Sequence, residues 1–322
     1  MKNTTEEGFD VIGDVHGMGT ELVELLTHLG YENTNGRFAH PTRRAVFVGD
    51  FVDRGPEQRL AVETAKAMVD AGTALAVMGN HEFNAIAFHT PDPNKPGQHL
   101  RRRTDRNREQ SAVFLEAVKE DSTLHAEYIE WFQSLPMWLD LDGLRVIHAC
   151  WDEAAMANLP DGPTLTTDAL IAATQKGTPE YEAIETLLKG PEIPIDPPYH
   201  DKDGFHRDNA RFAWWSHANT LGDMIEVPAK CTHHTDHACP GHEGEPWQLA
   251  NPTKHTERPV NTYPSDAPPV LFGHYWRRGT PNATEAPNAA CTDYSAVKGG
   301  HLVAYRWSGE QKLDAERFVW VG

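Results

Sequence analysis

Aspartate, asparagine and histidine recur in this chain at the ends of apolar runs, in a series of short segments. They are Gly13-Asp14-Val15-His16-Gly17, Gly49-Asp50-Phe51-Val52-Asp53-Arg54-Gly55, Gly79-Asn80-His81-Glu82, Val146-Ile147-His148-Ala149 and Gly273-His274. Carboxylate, amide-oxygen and imidazole donors together suit manganese, iron or zinc, and the scarcity of thiols argues against a soft-metal site. Arg54 adds a planar fork of N–H donors that matches phosphate. Singly, each segment has an ordinary structural reading: Asp14 as a helix cap, Asp53-Arg54 as a surface ion pair, His148 as a satisfied core residue. In series, each behind an apolar strand, they are hard to assemble by accident and point to metal-assisted chemistry on a phosphate.

The elements around these segments read as an α/β core. Residues 9–12, 45–48 and 74–78 are short apolar strands, each ending in Gly-Asp or Gly-Asn. Between them lie two helical patterns. In 20–29, Leu22, Leu25, Leu26 and Leu29 share one stripe, with Thr20 as N-cap and Gly30 as stop; the second pattern is 56–71, closed by Gly72. The order β-α-β-α-β implies an inner sheet covered by helices. Ligands bind at the carboxyl ends of such strands, and Gly13, Gly49 and Gly79 let the backbone turn there. Residues 104–135 read as two helices broken near Asp121-Ser122, and Asp142-Gly143 as the turn of a hairpin between 138–141 and 144–147. The strands 270–272, 289–291, 301–307 and 317–321 read as an antiparallel meander forming a second sheet. From 152 to 269 the pattern loosens into an insertion over the site within a single domain spanning 1–322.

With 322 residues and 39% hydrophobic content the chain can bury a full core. Its formal charge of −18 repels polyanions, which counts against nucleic-acid duplexes and membranes as partners. One local basic patch, Arg101, Arg102, Arg103, Arg106 and Arg108, offers charge for a polyphosphate chain, or is simply a solvated helix face. No apolar run is long enough to span a bilayer and the polar N-terminus lacks a signal-peptide core, so a cytoplasmic protein with reduced thiols is expected. Cys231, His233, His234, His237, Cys239 and His242 form a cluster with irregular spacing. It is either a polar loop or an additional structural zinc site. The Trp214-Trp215 pair reads as core rather than as a base-stacking platform.

The series of motifs resembles that of the calcineurin-like metallophosphoesterases, and within them the phosphoprotein phosphatase superfamily. That superfamily includes serine/threonine phosphatases and bacterial diadenosine tetraphosphate hydrolases. The resemblance implies a four-layer α/β/β/α sandwich and two divalent metal ions, manganese first, with iron, zinc, nickel or magnesium as alternatives. It places Asp14 and His16 on one metal, Asn80, His148 and His274 on the other, and Asp50 between them. It further implies in-line attack on phosphorus by a hydroxide that the metals share. His81 is then the general acid, oriented by Asp53, with Arg54 and Asn80 on the phosphate and Glu82 supporting the loop.

Two departures stand out. Ala149-Cys150-Trp151 follows His148 where protein phosphatases carry two glycines. The second phosphate-binding arginine expected after a Trp-Ser-Asp-like segment is missing behind Trp214-Trp215-Ser216, which leaves Arg211 as its substitute. The segments Cys291-Thr292-Asp293-Tyr294-Ser295 and Gly299-Gly300-His301-Leu302 resemble the dinucleotide-hydrolase branch. The expected substrate is a phosphomonoester, either a small phosphoester or a phosphoserine/threonine protein. A dinucleoside tetraphosphate cleaved symmetrically is the alternative, and a scaffold that has lost catalysis is the alternative outside enzymes.

Overall fold

The computed structural model describes residues 8–160, 162–200, 206–217, 224–226, 232–233, 248–249 and 262–322. The chain divides into two compact units, residues 1–189 with 266–322, and residues 190–265.

The first unit begins with β1 (Gly8–Ile12), α1 (Gly19–His28), the small hairpin β2 (Glu32–Thr34) and β3 (Arg37–Ala39), and β4 (Arg43–Phe47). It continues with α2 (Gln58–Asp70), β5 (Ala74–Ala76), α3 (Asn80–His89), α4 (Asp105–Gln110), α5 (Ala112–Val118) and α6 (Thr123–Ser134). The hairpin β6 (Trp138–Leu141) and β7 (Leu144–Ile147) is followed by α7 (Glu153–Met156), α8 (Thr167–Ala173) and α9 (Pro179–Lys189). The second unit contributes β8 (Glu192–His200), β9 (His206–Phe212), β10 (Ile225–Glu226), β11 (Thr232–His233) and β12 (Gln248–Leu249). The chain then returns to the first unit with β13 (Val270–Phe272), β14 (Ala289–Cys291), β15 (Asp293–Tyr294), β16 (His301–Trp307) and β17 (Phe318–Val321).

Two sheets build the first unit. One runs β15-β16-β1-β4-β5, with β17 on β16; the other runs β14-β13-β7-β6. β1, β4 and β5 are parallel, as the β-α-β-α-β order requires. Val11, Val46 and Val303 of the first sheet and Val146, Leu271 and Ala290 of the second belong to one buried cluster, so the sheets share a single core. The expected C-terminal meander forms only in part: β16 pairs antiparallel with β15 and β17. β13 lies parallel to both β7 and β14, whereas β16 also pairs antiparallel with β1, Phe9 opposite Trp307 and Ile12 opposite Ala304. Closing two sheets around one core divides the strands expected to form a single sheet.

Other expectations shift in detail. Helix α1 starts at Gly19 behind Met18; Thr20 lies inside it and binds Glu57 through its N–H and hydroxyl. Residues 104–135 hold three helices rather than two, because Ser111 ends α4 and the left-handed residues Lys119 and Asp121 end α5. Within the loosened region, residues 191–198 are rich in proline, yet they are ordered as strand from Glu192. That strand is β8, paired with β9 through a register irregularity between Pro194 and Tyr199 that accommodates residues lacking an N–H. Trp214 and Trp215 are buried within the second unit, which agrees with the core reading. The Cys231 to His242 cluster lies outside the described residues, apart from the backbone of His233 in β11. Among the described residues no helix is long and apolar enough to cross a membrane.

Candidate active site

Close backbone approach explains the glycines that precede the candidate ligands. A Cβ at Gly13 would stand 2.0 Å from the Thr292 carbonyl oxygen, and one at Gly79 would stand 2.3 Å from Asp50 Oδ1. Gly49 has φ +95° as well as a neighbour at 2.4 Å. The turns themselves are tight. His16, Asp50, Asp53, Arg54 and His274 all have positive φ, a conformation that costs a non-glycine residue about 1–2 kcal/mol and concentrates at functional sites.

What holds these turns is mostly buried polar bonding. Glu82, fully buried in the first turn of α3, accepts from the N–H groups of Asp50 (2.8 Å), Phe51 (2.8 Å) and Gly79 (3.0 Å). It therefore ties the end of β4 to the start of α3. Gln58 accepts from the Asp53 N–H at 2.8 Å and donates to the Gly55 carbonyl at 2.6 Å. Across the two sheets, the Asp14 carboxylate accepts from the His274 N–H at 3.2 Å.

Asp50 is the centre of the arrangement. Its Oδ2 lies 3.5 Å from His16 Nε2, 3.6 Å from His148 Nε2 and 3.9 Å from His81 Nε2. Two candidate metal-binding groups share it: His16, Asp50 and His81, and Asp50, His148 and His274. Asp14 Oδ2 is 4.0 Å from His16 Nε2, and Asn80 Oδ1 is 3.1 Å from His148 Nε2 and 2.8 Å from His274 Nδ1. The six residues expected as ligands thus lie together, with His81 among them. Their chemistry fits divalent ions. Asp14 and Asp50 meet histidines whose outer nitrogens are fixed to carbonyls, His16 Nδ1 on Val52 (2.9 Å) and His148 Nδ1 on Val48 (2.8 Å). That leaves each Nε2 turned inward, the usual arrangement behind a metal-ligating imidazole.

Electrostatics agree with this reading. Burial depresses His16 and His148, against the opposing charge of Asp50. Burial, then the charges of Asp293 and Asp50, pushes the Asp14 carboxyl well up. Burial opposes ionisation of Asp50 too, yet the surrounding imidazoles of His148, His81 and His16 hold it low. Carboxylates crowded in this way favour a bound cation.

His81 differs from the other imidazoles. Its Nδ1 is bonded to Asp53 Oδ2 at 2.5 Å, which leaves Nε2 as its only other proton-carrying atom. Burial alone would depress it, but Asp50 and Asp53 outweigh that and raise it above the ordinary histidine value. Arg54 stacks on the ring of Trp276 at 4.1 Å and donates to His16, while Lys298 Nζ lies 3.5 Å from the same ring. Arg211 sits on β9, in the second unit.

Three participants escaped the sequence reading. Asp293 is buried, accepts from the Trp276 N–H (2.8 Å) and the Ser295 N–H (3.0 Å), and bears on Asp14. Trp276 and Gln58 are the others. Only Asp293 left a signal, as the one acid inside the Cys291-to-Ser295 segment already singled out.

A cavity of about 660 Å³ opens beside Asp53, Arg54, Asn80 and His81. Two sheets presenting carboxylates, an amide and imidazoles at their loop ends, next to such a cavity, define a metal-dependent phosphoesterase. Residues 9–274 match the calcineurin-like phosphoesterase family, and the chain belongs to that family.

Among curated proteins, the bis(5'-nucleosyl)-tetraphosphatase PrpE [asymmetrical] of Halalkalibacterium halodurans is 49% identical over 74 residues, 23% of this chain and 30% of that protein. Its namesake in Oceanobacillus iheyensis is 34% identical over 141 residues, 44% of this chain and 54% of that protein. The chain therefore spans about half or less of these relatives. A cold-active protein-tyrosine phosphatase of a psychrophilic Shewanella species shares 15% identity at a TM-score of 0.49, covering 97% of this chain and 82% of that one. A likeness at that level adds nothing to the family assignment.

Proposed function

We propose that this protein hydrolyses P–O bonds in small phosphate compounds, at a site where Asp14 and His16 would hold one divalent ion, Asn80, His148 and His274 the other, and Asp50 would serve both. The observation that carries this reading is the Asp50 carboxylate shared by two imidazole groups beside a cavity of about 660 Å³. Bound there, two such ions supply Lewis acidity toward phosphoryl oxygens and lower the pKa of water. An all-oxygen-and-nitrogen donor set suits manganese first.

The chain's own groups do the rest. Arg54, braced on Trp276, offers its guanidinium edge to the phosphoryl oxygens. His81, kept protonated beside Asp53, gives a proton from Nε2 to the leaving oxygen as the P–O bond breaks, and water supplies the new oxygen on phosphorus. Phosphomonoesters and dinucleoside tetraphosphates both fall within this chemistry. The relatives' name, bis(5'-nucleosyl)-tetraphosphatase, and the size of the cavity favour the second.

Purified protein with Mn²⁺, offered 4-nitrophenyl phosphate, a phosphoserine peptide and diadenosine tetraphosphate, should turn over at least one. Asp50→Asn should lose both metals and nearly all turnover. Retention of both metals at wild-type activity would overturn the assignment of Asp50.

A further inference from the structure

The cavity is far larger than a phosphoryl group; volumes of about 300–1,000 Å³ hold nucleotide- or drug-sized ligands. His81 and Asp53 form part of its wall, and the free nitrogen of His81 belongs to the group assigned the leaving-group proton. The leaving group must therefore lie on the cavity side of the scissile bond. Its chemistry is set by the rest of the lining, where Arg101 and Lys189 supply the remaining positive charge.

These two cations are not equivalent. Lys189 is paired with Glu185. Arg101 is half-buried and has no carboxylate partner among the described residues: its Nη2 donates to the neutral amides Gln110 Oε1 (2.6 Å) and Asn107 Oδ1 (3.1 Å). Other arginines of the same basic patch are neutralised, Arg103 by Glu120 and Asp121, and Arg108 by Glu120. The acid whose charge reaches Arg101 is Asp53, already committed to His81. In a chain of charge −18, a partly desolvated guanidinium oriented by amides and facing a cavity beside Arg54 is arranged for an anion from outside. Guanidinium pairs well with phosphate.

We propose that the cavity receives the leaving group and that Arg101 binds a phosphate carried by it, so that the site selects phosphoanhydrides over simple phosphomonoesters. The proposal rests on the phosphohydrolase reading above, and it gives the second phosphate-binding arginine a place in the first unit instead of at Arg211.

The test compares kcat/KM for diadenosine tetraphosphate and for 4-nitrophenyl phosphate in wild type, Arg101→Gln and Arg101→Lys, all loaded with Mn²⁺ and checked for metal content and melting temperature. The ratio of anhydride to monoester should fall roughly 10- to 100-fold in Arg101→Gln, the worth of one charge-assisted hydrogen bond, and recover in part in Arg101→Lys. An unchanged ratio, or a wild type that hydrolyses the monoester but not the anhydride, would overturn the proposal and leave the phosphohydrolase reading standing. A wild type active on neither substrate would remove both. A wild type active on the anhydride alone would support the proposal if Arg101→Gln loses that activity with metals retained and Arg101→Lys restores it, and would overturn it otherwise.

Discussion

Replacing Glu82 by glutamine separates the framework of the site from its chemistry. Glu82 holds three buried N–H groups, two on Oε2 (Asp50 and Gly79) and one on Oε1 (Phe51). A glutamine with its oxygen at the Oε2 position keeps two of these bonds and turns its NH₂ toward the Phe51 N–H. The orphaned buried donor costs about 1–3 kcal/mol, and the two bonds that lose their charge about 1 kcal/mol each, giving ~3–5 kcal/mol in all. Burial, reinforced by the charge of Asp50, pushes the Glu82 carboxyl up to about 7, so the neutral side chain escapes part of that cost and the lower end applies. Glu82→Gln should therefore lose ~3 kcal/mol in urea unfolding at neutral pH. It should also bind metal more weakly, because Asp50 and Asn80 sit on the loops that Glu82 ties together. Saturating Mn²⁺ should restore most of the turnover. Unfolding at the wild-type urea midpoint, or a loss of kcat that persists with both metals bound, would refute the structural role.

Other changes test other parts of the site. His81→Asn should keep its metals and slow substrates with poor leaving groups by roughly 10²–10⁴-fold, aryl phosphates less; equal loss across leaving groups would show that His81 is not the acid. His125 is depressed by burial and by His89, with Asp121, Glu120 and Arg103 as its other charged neighbours. Its folded pKa lies below its unfolded value of about 6.5, so the stability it contributes is full above that pH and is lost as pH falls through the folded pKa. The melting-temperature advantage of wild type over His125→Asn should narrow on acidification from pH 7.5 to 5, and a constant gap would contradict this.

The parts legible in the sequence were those encoded within a few residues. Gly-Asp or Gly-Asn behind an apolar strand is a local pattern, so the gathering of Asp14, Asp50 and Asn80 could be anticipated. The pairing of β16 with β1 could not, because nothing local in 301–307 distinguishes a neighbour almost 300 residues away from one just upstream. The same limit hid Asp293, whose position depends on β15 lying against β16, and Trp276, which as an isolated aromatic looks like core. The arginine patch was visible, yet which member faces the cavity depends on Asn107 and Gln110 of α4, six and nine residues further on. Prolines in β8 obscured a strand whose register irregularity absorbs them.

The bond from the His274 N–H to Asp14 joins residues 260 positions apart in the chain. On a ribosome adding about 5–20 residues per second, the 126 residues between His148 and His274 take roughly 6–25 s to appear. During that interval β1 lacks β16 on one edge, and the emerging chain offers only part of the ligand set to any ion it meets. On the proposed ligand assignment, metal acquisition waits until synthesis has reached His274, within the last third of the molecule, and a chain interrupted earlier lacks both the sheet partner and the final imidazole. On that assignment a full metal complement doubles as a certificate that translation ran through His274.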